Sequence, residues 1–216
     1  MRVGGIKIEQ ENCEDLAIVP LPKIAKAMGR IVRFAGNTDY PVSDLMHCVH
    51  GALYCLETYK DVQLARFFAL HDSCEVLTGD VIHGFKSRTL TVIEDMILDS
   101  MYDTHVGVRP DITQRGIIKR VDELCSAAEI NVFGLNGCPR MDTPAKLDSH
   151  VHAVAHLWPY EAQFRGSIAQ LRDAWVKAVE GDFSFLIACC APPKELTGPS
   201  FFMSWDDYCK LGRYKT

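Results

Sequence analysis

The chain has 216 residues, of which 48% are hydrophobic, and this is enough for one domain with a substantial core. Its formal net charge of −5 gives no basic footprint for duplex nucleic acid, and no apolar stretch approaches the roughly 20 residues that span a bilayer. The nine cysteines show no spacing typical of a disulfide framework, so we expect reduced thiols. The N-terminal residues do not read as a secretion signal, so we expect a cytoplasmic location and no membrane partner.

The spacing of apolar residues predicts a mostly helical chain. In chain order, the predicted elements are an edge strand or irregular arm over residues 6–19, and helices over 22–34, 43–58, 61–77, 89–104, 112–132, 144–157, 160–180 and 203–211. Two segments rich in turn-forming residues, 36–41 and 79–87, are predicted to be loops that frame a pocket.

The most informative segment reads Leu-His-Asp-Ser-Cys-Glu-Val-Leu-Thr-Gly-Asp over residues 70–80, after an apolar run. Burying an unpaired carboxylate is costly, so an adjacent imidazole and carboxylate carried into an interior need a partner, and a metal ion is the most economical one. Glu75 lies four residues after His71 and three after Asp72, so on a helix it projects near the same side. This layout favours a metal that activates water, with a proton-transfer carboxylate beside it.

Further metal ligands are available on two other predicted helices. Ser43 can cap the helix over 43–58, which then carries His47 and His50 on one side. Asp122 lies at the edge of the apolar stripe of the helix over 112–132. One His, a His-Asp pair and a distant Asp form a mixed nitrogen and oxygen set. Such a set suits a divalent transition metal, with coordination positions left open for water and substrate.

These candidate ligands resemble the H…HD…D signature of the HD-domain metal-dependent phosphohydrolases. The resemblance extends to Ile-Val-Arg-Phe-Ala-Gly over residues 31–36, to the whole of 71–80, and to Lys86 shortly afterwards. This longer pattern is similar to the bacterial 5'-deoxynucleotidases and to related phage-encoded HD proteins, including the dATP triphosphohydrolases of some phages. It covers roughly residues 20–133, a little over half of the chain.

The resemblance implies an all-α fold, an HD-domain helical bundle over residues 20–133. An N-terminal arm over 1–19 would precede it, and a C-terminal helical extension over 134–216 would pack on this core. It also implies a divalent cation (Mn, Co, Ni, Zn, Fe or Mg). The ligands that it implies for this cation are His47, His71, Asp72 and Asp122.

The resemblance also implies roles for the residues around the metal. Glu75 would assist proton transfer, and Asp80 would support the attacking water or the leaving sugar oxygen. Arg33 and Lys86 would contact phosphate. Phe34 would lie against the base or sugar, where the 5'-deoxynucleotidases carry a Trp. Two alternatives stay open for His50, which either reaches the phosphate or fills a polar cleft.

The function that we expect is hydrolysis of the 5' phosphoester of a small-molecule deoxynucleotide. Two reactions remain open: a 5'-nucleotidase releases phosphate from a monophosphate, whereas a triphosphohydrolase releases triphosphate, with dATP as a serious candidate substrate. The alternative is a non-catalytic HD protein that binds a nucleotide or a partner, against which the complete ligand set and Glu75 argue. Related proteins are commonly homo-oligomers, and a phage-encoded enzyme would act in the host cytoplasm.

Overall fold

The computed structural model describes residues 2–3, 6–81, 85–135, 138–157 and 169–190. These residues are mostly helical, which confirms the predicted all-α fold. The helices are α1 (Leu21–Met28), α2 (Asp44–Tyr59), α3 (Val62–Leu70), α4 (Glu75–Thr78), α5 (Arg88–His105), α6 (Ile112–Phe133), α7 (Ala145–Leu157), α8 (Ala169–Glu180) and α9 (Ser184–Cys190). In the described part of the chain, no helix is both long enough and apolar enough to cross a membrane.

The second helix, α2, lies at the centre of the fold, where it packs against α3, α6, α7 and α8. The hydroxyl group of Ser43 accepts a hydrogen bond from the backbone N–H of Met46 and so caps its first turn. Every residue of this helix from Asp44 to Cys55 is buried. A helix that is buried on all sides places its polar residues in the interior as well, so its two histidines lie inside the protein.

The close approach of α2 and α3 depends on Gly51. A Cβ atom at this position would lie 2.1 Å from the ring of Phe68, far inside van der Waals contact. The Phe68 ring is fully buried, and its centroid lies 4.2 Å from that of His71. The absence of a side chain at Gly51 therefore sets the position of an aromatic ring that supports the His-Asp pair.

The helix predicted over residues 61–77 is interrupted, and this interruption lies at the His-Asp pair. Helix α3 ends at Leu70, residues 71–74 form turns, and α4 begins at Glu75. Over residues 71–74, backbone hydrogen bonds join residues three apart in place of the four-residue spacing of an α-helix. In addition, the His71 ring donates a hydrogen bond from Nδ1 to the carbonyl oxygen of Phe68. The pair therefore leaves the helix axis and projects from a turn.

The helix predicted over residues 22–34 is too long, because α1 ends at Met28. The chain then extends, and Val32 pairs with Ser43 in a single antiparallel bridge. Residues 33–36 form a 3-10 turn in which Phe34, Ala35 and Gly36 all have positive φ. This conformation is costly for residues with a side chain and is typical of functional segments.

The predicted arm over residues 6–19 contains both a short strand and a 3-10 helix. Strands β1 (Arg2–Val3) and β2 (Ile6–Lys7) pair antiparallel, and the 3-10 helix spans Gln10–Ile18 and packs against α5. The helix predicted over 203–211 lies outside the described residues. The first part of the helix predicted over 160–180 also lies outside them, and so do residues 82–84 of the predicted loop.

Candidate metal centre

The four predicted metal ligands, which are distant in sequence, come together in the structure. His47 lies on α2, His71 and Asp72 lie in the turn after α3, and Asp122 lies on α6. One nitrogen or oxygen atom from each lies within 4.8 Å of those from the other three. These four side chains could hold a metal ion.

The distances between the donor atoms fit ligands of a single ion. His47 Nε2 lies 3.3 Å from His71 Nε2 and 3.1 Å from Asp122 Oδ1. His71 Nε2 lies 3.2 Å from Asp72 Oδ1. Ligand atoms about 2.1 Å from an ion, at angles between octahedral and tetrahedral, are separated by roughly 3.0–3.4 Å. Two imidazole nitrogens with two carboxylates also form a donor set that suits a divalent transition metal.

Hydrogen bonds fix the orientation of both imidazole rings. His47 Nδ1 lies 2.7 Å from Glu129 Oε1, and His71 Nδ1 lies 2.7 Å from the carbonyl oxygen of Phe68. Because acceptors face both Nδ1 atoms, these atoms carry a hydrogen, and the Nε2 atoms are the ones directed at the candidate metal position. Carboxylate and carbonyl groups behind a ligating His orient the ring and increase its basicity.

The fully buried Glu129, which sequence spacing did not single out, supports this centre from behind. It accepts hydrogen bonds from His47 and, through its Oε2 atom at 3.2 Å, from Arg33 Nε. Burial raises the pKa of this carboxyl group, but His47 and Arg33 outweigh burial and hold it well below its usual range. Burial and Arg33 lower the pKa of His47, whereas Glu129 and Asp122 raise it, with the net result of about 10. Binding of a metal at this ring therefore releases a proton.

Arg33 lies among the carboxylates of the centre. Its Nη1 atom lies 2.9 Å from Asp72 Oδ2, and its Nη2 atom lies 3.6 Å from Asp122 Oδ1 and 3.0 Å from Ser126 Oγ. Burial lowers the pKa of this guanidinium, but Glu129 and the other carboxylates raise it well above its usual value. The side chain is buried and bonded within the chain through all three nitrogen atoms, so its predicted contact with phosphate stays a prediction.

Glu75, the predicted proton-transfer group, is buried beside the metal ligands. One of its carboxylate oxygens lies within 4.8 Å of those of Asp72 and Asp44, and its Oε2 atom has no hydrogen-bond partner among the described residues. Burial, followed by the charges of Asp72, Asp44 and Asp80, raises the pKa of Glu75 to about 10. The carboxyl group of Glu75 therefore binds its proton more tightly than an exposed glutamic acid does.

Lys86 connects Glu75 to a second buried carboxylate on α5. Its Nζ atom lies 3.3 Å from Glu75 Oε1 and 3.1 Å from Glu94 Oε2. Burial lowers the pKa of this ammonium group, but these two carboxylates outweigh burial and raise it, so Lys86 stays charged. The structure thus places the predicted phosphate ligand beside the predicted proton-transfer group.

Asp80 and Phe34 meet at the strained turn that follows Arg33. The backbone N–H of Phe34 donates to Asp80 Oδ2 over 3.1 Å, and the guanidinium carbon of Arg33 lies 5.6 Å from the centroid of the Phe34 ring. Burial raises the pKa of Asp80, although Arg33 opposes this shift. Asp80 therefore holds the strained turn against the segment that follows α4, and the contact of Phe34 with a base stays a prediction.

His50 lies on the far side of Glu129, one turn of α2 after His47. It is fully buried, and its Nε2 atom faces Glu129 Oε1 at 3.0 Å. Burial lowers the pKa of this ring, so it is neutral at neutral pH. Its contacts with Glu129 place it in a buried polar cluster, and a contact with phosphate stays a prediction.

A cavity of about 330 Å³ opens from the candidate metal centre between α5 and α6. Its inner end is lined by ligands of the centre together with Glu75 and Lys86. Its outer end is lined by Arg115 and Lys119, which precede Asp122 on the same face of α6. Substrate could therefore reach the candidate ligands from this side.

Three supporting residues had positional signals that sequence reasoning did not use. Glu129 follows Asp122 by seven residues on α6, which places the two on one face. Arg115 precedes Asp122 by the same spacing, and Asp44 precedes His47 by three residues on α2. These spacings are visible in the sequence, but the sequence does not show that α2 packs against α6. That packing brings Asp44 and Glu129 to the candidate metal centre.

The chain matches no protein-family model and no curated protein. The resemblance to HD-domain proteins therefore stands on the residue pattern and on the geometry of the four candidate ligands.

Proposed function

We propose that this chain is an HD-domain metal-dependent phosphohydrolase that cleaves the 5' phosphoester of deoxynucleotides. One observation supports this proposal above all others. Four side chains from three separate parts of the chain, His47, His71, Asp72 and Asp122, converge within 4.8 Å, with the spacing of ligands around one ion.

The residues around this centre have the properties that phosphoryl chemistry needs. A divalent cation held by the four ligands would polarise the phosphoryl oxygen and lower the pKa of water. Lys86 is charged and lines the cavity, so it can offset negative charge that develops on the phosphate. Arg33 also holds Asp72 and Glu129 in place and balances the charge of the buried carboxylates.

Glu75 is suited to act as a general acid. Burial and the neighbouring carboxylates raise its pKa, which favours a carboxyl group that carries a proton to donate, and it lines the cavity next to the candidate ligands. As water adds to phosphorus and the bond from phosphorus to the 5' oxygen breaks, Glu75 donates its proton to that leaving oxygen. The deoxynucleoside leaves with a 5' hydroxyl group, and the product phosphate carries the protons of the attacking water. One of these protons returns to the Glu75 carboxylate and regenerates the acid.

The substitution Glu75→Gln tests this role. The amide is similar in size but cannot exchange a proton, so we expect turnover to fall by roughly 10²–10⁴ while the bound metal is retained. Glu180→Gln, at an exposed position on α8, is the matched control and should change neither. Loss of metal in Glu75→Gln would make Glu75 a ligand, and normal turnover would remove it from the mechanism.

A substrate panel tests the activity itself. Purified protein loaded with Mn, Co, Ni, Zn, Fe or Mg is assayed against mono-, di- and triphosphates of the four deoxynucleosides, with product identity as the readout. We expect the deoxynucleoside to be released from at least one of them. Nucleotide binding without turnover under every metal would favour the non-catalytic alternative. The homo-oligomeric state and the cytoplasmic location stay predictions.

A further inference from the structure

The last turn of α3, just before the His-Asp pair, accepts a hydrogen bond from the C-terminal part of the chain. The indole Nε1 of Trp175, on α8, donates to the backbone carbonyl oxygen of Ala69 over 2.7 Å. Trp175 is fully buried, and α8 packs against α1, α2 and α3. Because Trp175 follows Ala69 by 106 residues, this bond joins a distant helix to the segment that carries two of the four candidate metal ligands.

This bond satisfies a carbonyl group that the end of α3 would otherwise leave without a partner. In a continuous α-helix, the carbonyl oxygen of Ala69 would accept from the backbone N–H of Ser73, four residues later. Here the N–H of Ser73 donates to the carbonyl oxygen of Leu70 over 2.9 Å, and the Ala69 oxygen accepts from Trp175. An unpaired carbonyl group in a buried segment costs free energy. The indole N–H therefore adds to the stability of the turn over residues 71–74.

A second hydrogen bond joins the same two helices but lies farther from the metal centre. Arg66, one turn earlier on α3, donates from Nε to the carbonyl oxygen of Val179, on α8, over 2.7 Å. Its Nη2 atom donates to the carbonyl oxygen of His105, at the end of α5, also over 2.7 Å. Both bonds therefore hold α3 in place, but the bond from Trp175 is the one that ends beside the turn over residues 71–74.

We propose that Trp175 is a positioning residue of the candidate metal centre. It acts through the backbone, because its N–H group fixes the Ala69 carbonyl, and this carbonyl fixes the start of the turn. The turn in turn directs the ligand atoms of His71 and Asp72 at the candidate metal position. This assigns a role to α8, which lies outside the segment that resembles HD-domain proteins. The inference goes beyond the proposed hydrolase activity, since it holds equally for a protein that binds the metal without catalysis.

Trp175→Phe tests the inference, because it keeps an aromatic ring and removes the N–H group. Arg66→Met is the matched control, since it removes the other hydrogen bond between α3 and α8. Both variants should unfold at lower urea concentration. Only Trp175→Phe should bind Co²⁺ more weakly, by roughly tenfold, as is typical when a group that orients metal ligands is removed. The absorption spectrum of bound Co²⁺, which depends on coordination geometry, should also change in this variant alone. Unchanged Co²⁺ affinity in Trp175→Phe, or an equal loss in both variants, would overturn the inference.

A measurement on the unsubstituted protein does not depend on how well the variants fold. If the Trp175 bond and the metal stabilise the same turn, each must strengthen the other, because coupling between two sites is reciprocal. Zn²⁺ should therefore move the nuclear magnetic resonance signal of the Trp175 indole proton to higher frequency, as expected when a hydrogen bond becomes stronger. The Nε proton of Arg66, which bonds to the same helix, is the control and should stay in place. An equal movement of both signals, or of neither, would overturn the inference.

Discussion

Replacement of Gly51 by Ala tests whether the close contact between α2 and α3 positions the candidate metal centre. The new Cβ atom would lie 2.1 Å from the Phe68 ring, about 1.4 Å closer than the roughly 3.5 Å at which two carbon atoms pack. The ring is fully buried, so it can move only by displacing its neighbours in a close-packed interior. We therefore expect the overpacking to lower the free energy of unfolding by about 1–3 kcal/mol.

Gly116→Ala is the matched control. Gly116 lies inside α6, and a Cβ atom there meets no atom within 4 Å. This substitution gains only helix propensity and should raise the free energy of unfolding by about 0.5–1 kcal/mol. Because Gly51→Ala gains the same propensity, the difference between the two variants, measured by urea denaturation, isolates the packing cost.

The contact should also affect metal binding, because the Phe68 ring lies against His71 at 4.2 Å between centroids. We expect Gly51→Ala to weaken metal affinity and Gly116→Ala to leave it unchanged. Adding Phe68→Leu to Gly51→Ala should restore part of the lost stability, since the smaller side chain relieves the clash. Equal stability of the two alanine variants, with equal metal affinity, would refute the reasoning.

Two further predictions concern the carboxylate behind the centre and the buried histidines. Glu129→Gln should weaken metal affinity by about 10–100-fold, because an amide orients the His47 ring less firmly than a carboxylate does. Unchanged affinity in a metal titration would contradict this role of Glu129. Burial lowers the pKa values of His105 and His150, so below about pH 6.5 the unfolded chain binds more protons than the folded one. These two histidines should therefore lower stability as pH falls below about 6.5, in opposition to buried carboxyl groups with raised pKa values such as Glu75. His150→Gln should remove the part that His150 contributes, measured as the difference between the urea-denaturation profiles of the variant and the unsubstituted chain against pH; identical profiles would show that His150 does not contribute.

The candidate ligands could be predicted because their signal is local. The adjacent His71 and Asp72 are conspicuous in an apolar stretch, and the residue types of His47 and Asp122 complete a recognisable donor set. The all-α fold could be predicted for a similar reason, since apolar residues recur at helical spacing along the whole chain. The prediction of the ligands and the prediction of the fold both depend on local sequence patterns, each contained within a single segment of the chain.

The supporting contacts could not be predicted because they join distant segments. Arg33 reads as a cation near a helix end, but it lies 3.2 Å from Glu129, which follows it by 96 residues. The break at residues 71–74 also escaped prediction, because the side-chain bond from His71 to the Phe68 carbonyl competes with the helix and leaves no mark in apolar spacing. A tertiary contact decides the first feature, and a local side-chain hydrogen bond decides the second.

The most direct measurement of the central claim is the metal content of the purified protein after excess metal has been removed. We predict one divalent ion per chain, lost in Asp72→Ala and retained in Asp103→Ala, which removes an exposed carboxylate of α5. Unchanged helicity of both variants would exclude unfolding as the cause. Full metal content in Asp72→Ala, or none in the unsubstituted chain after reconstitution with any of the candidate metals, would contradict the assignment of the centre.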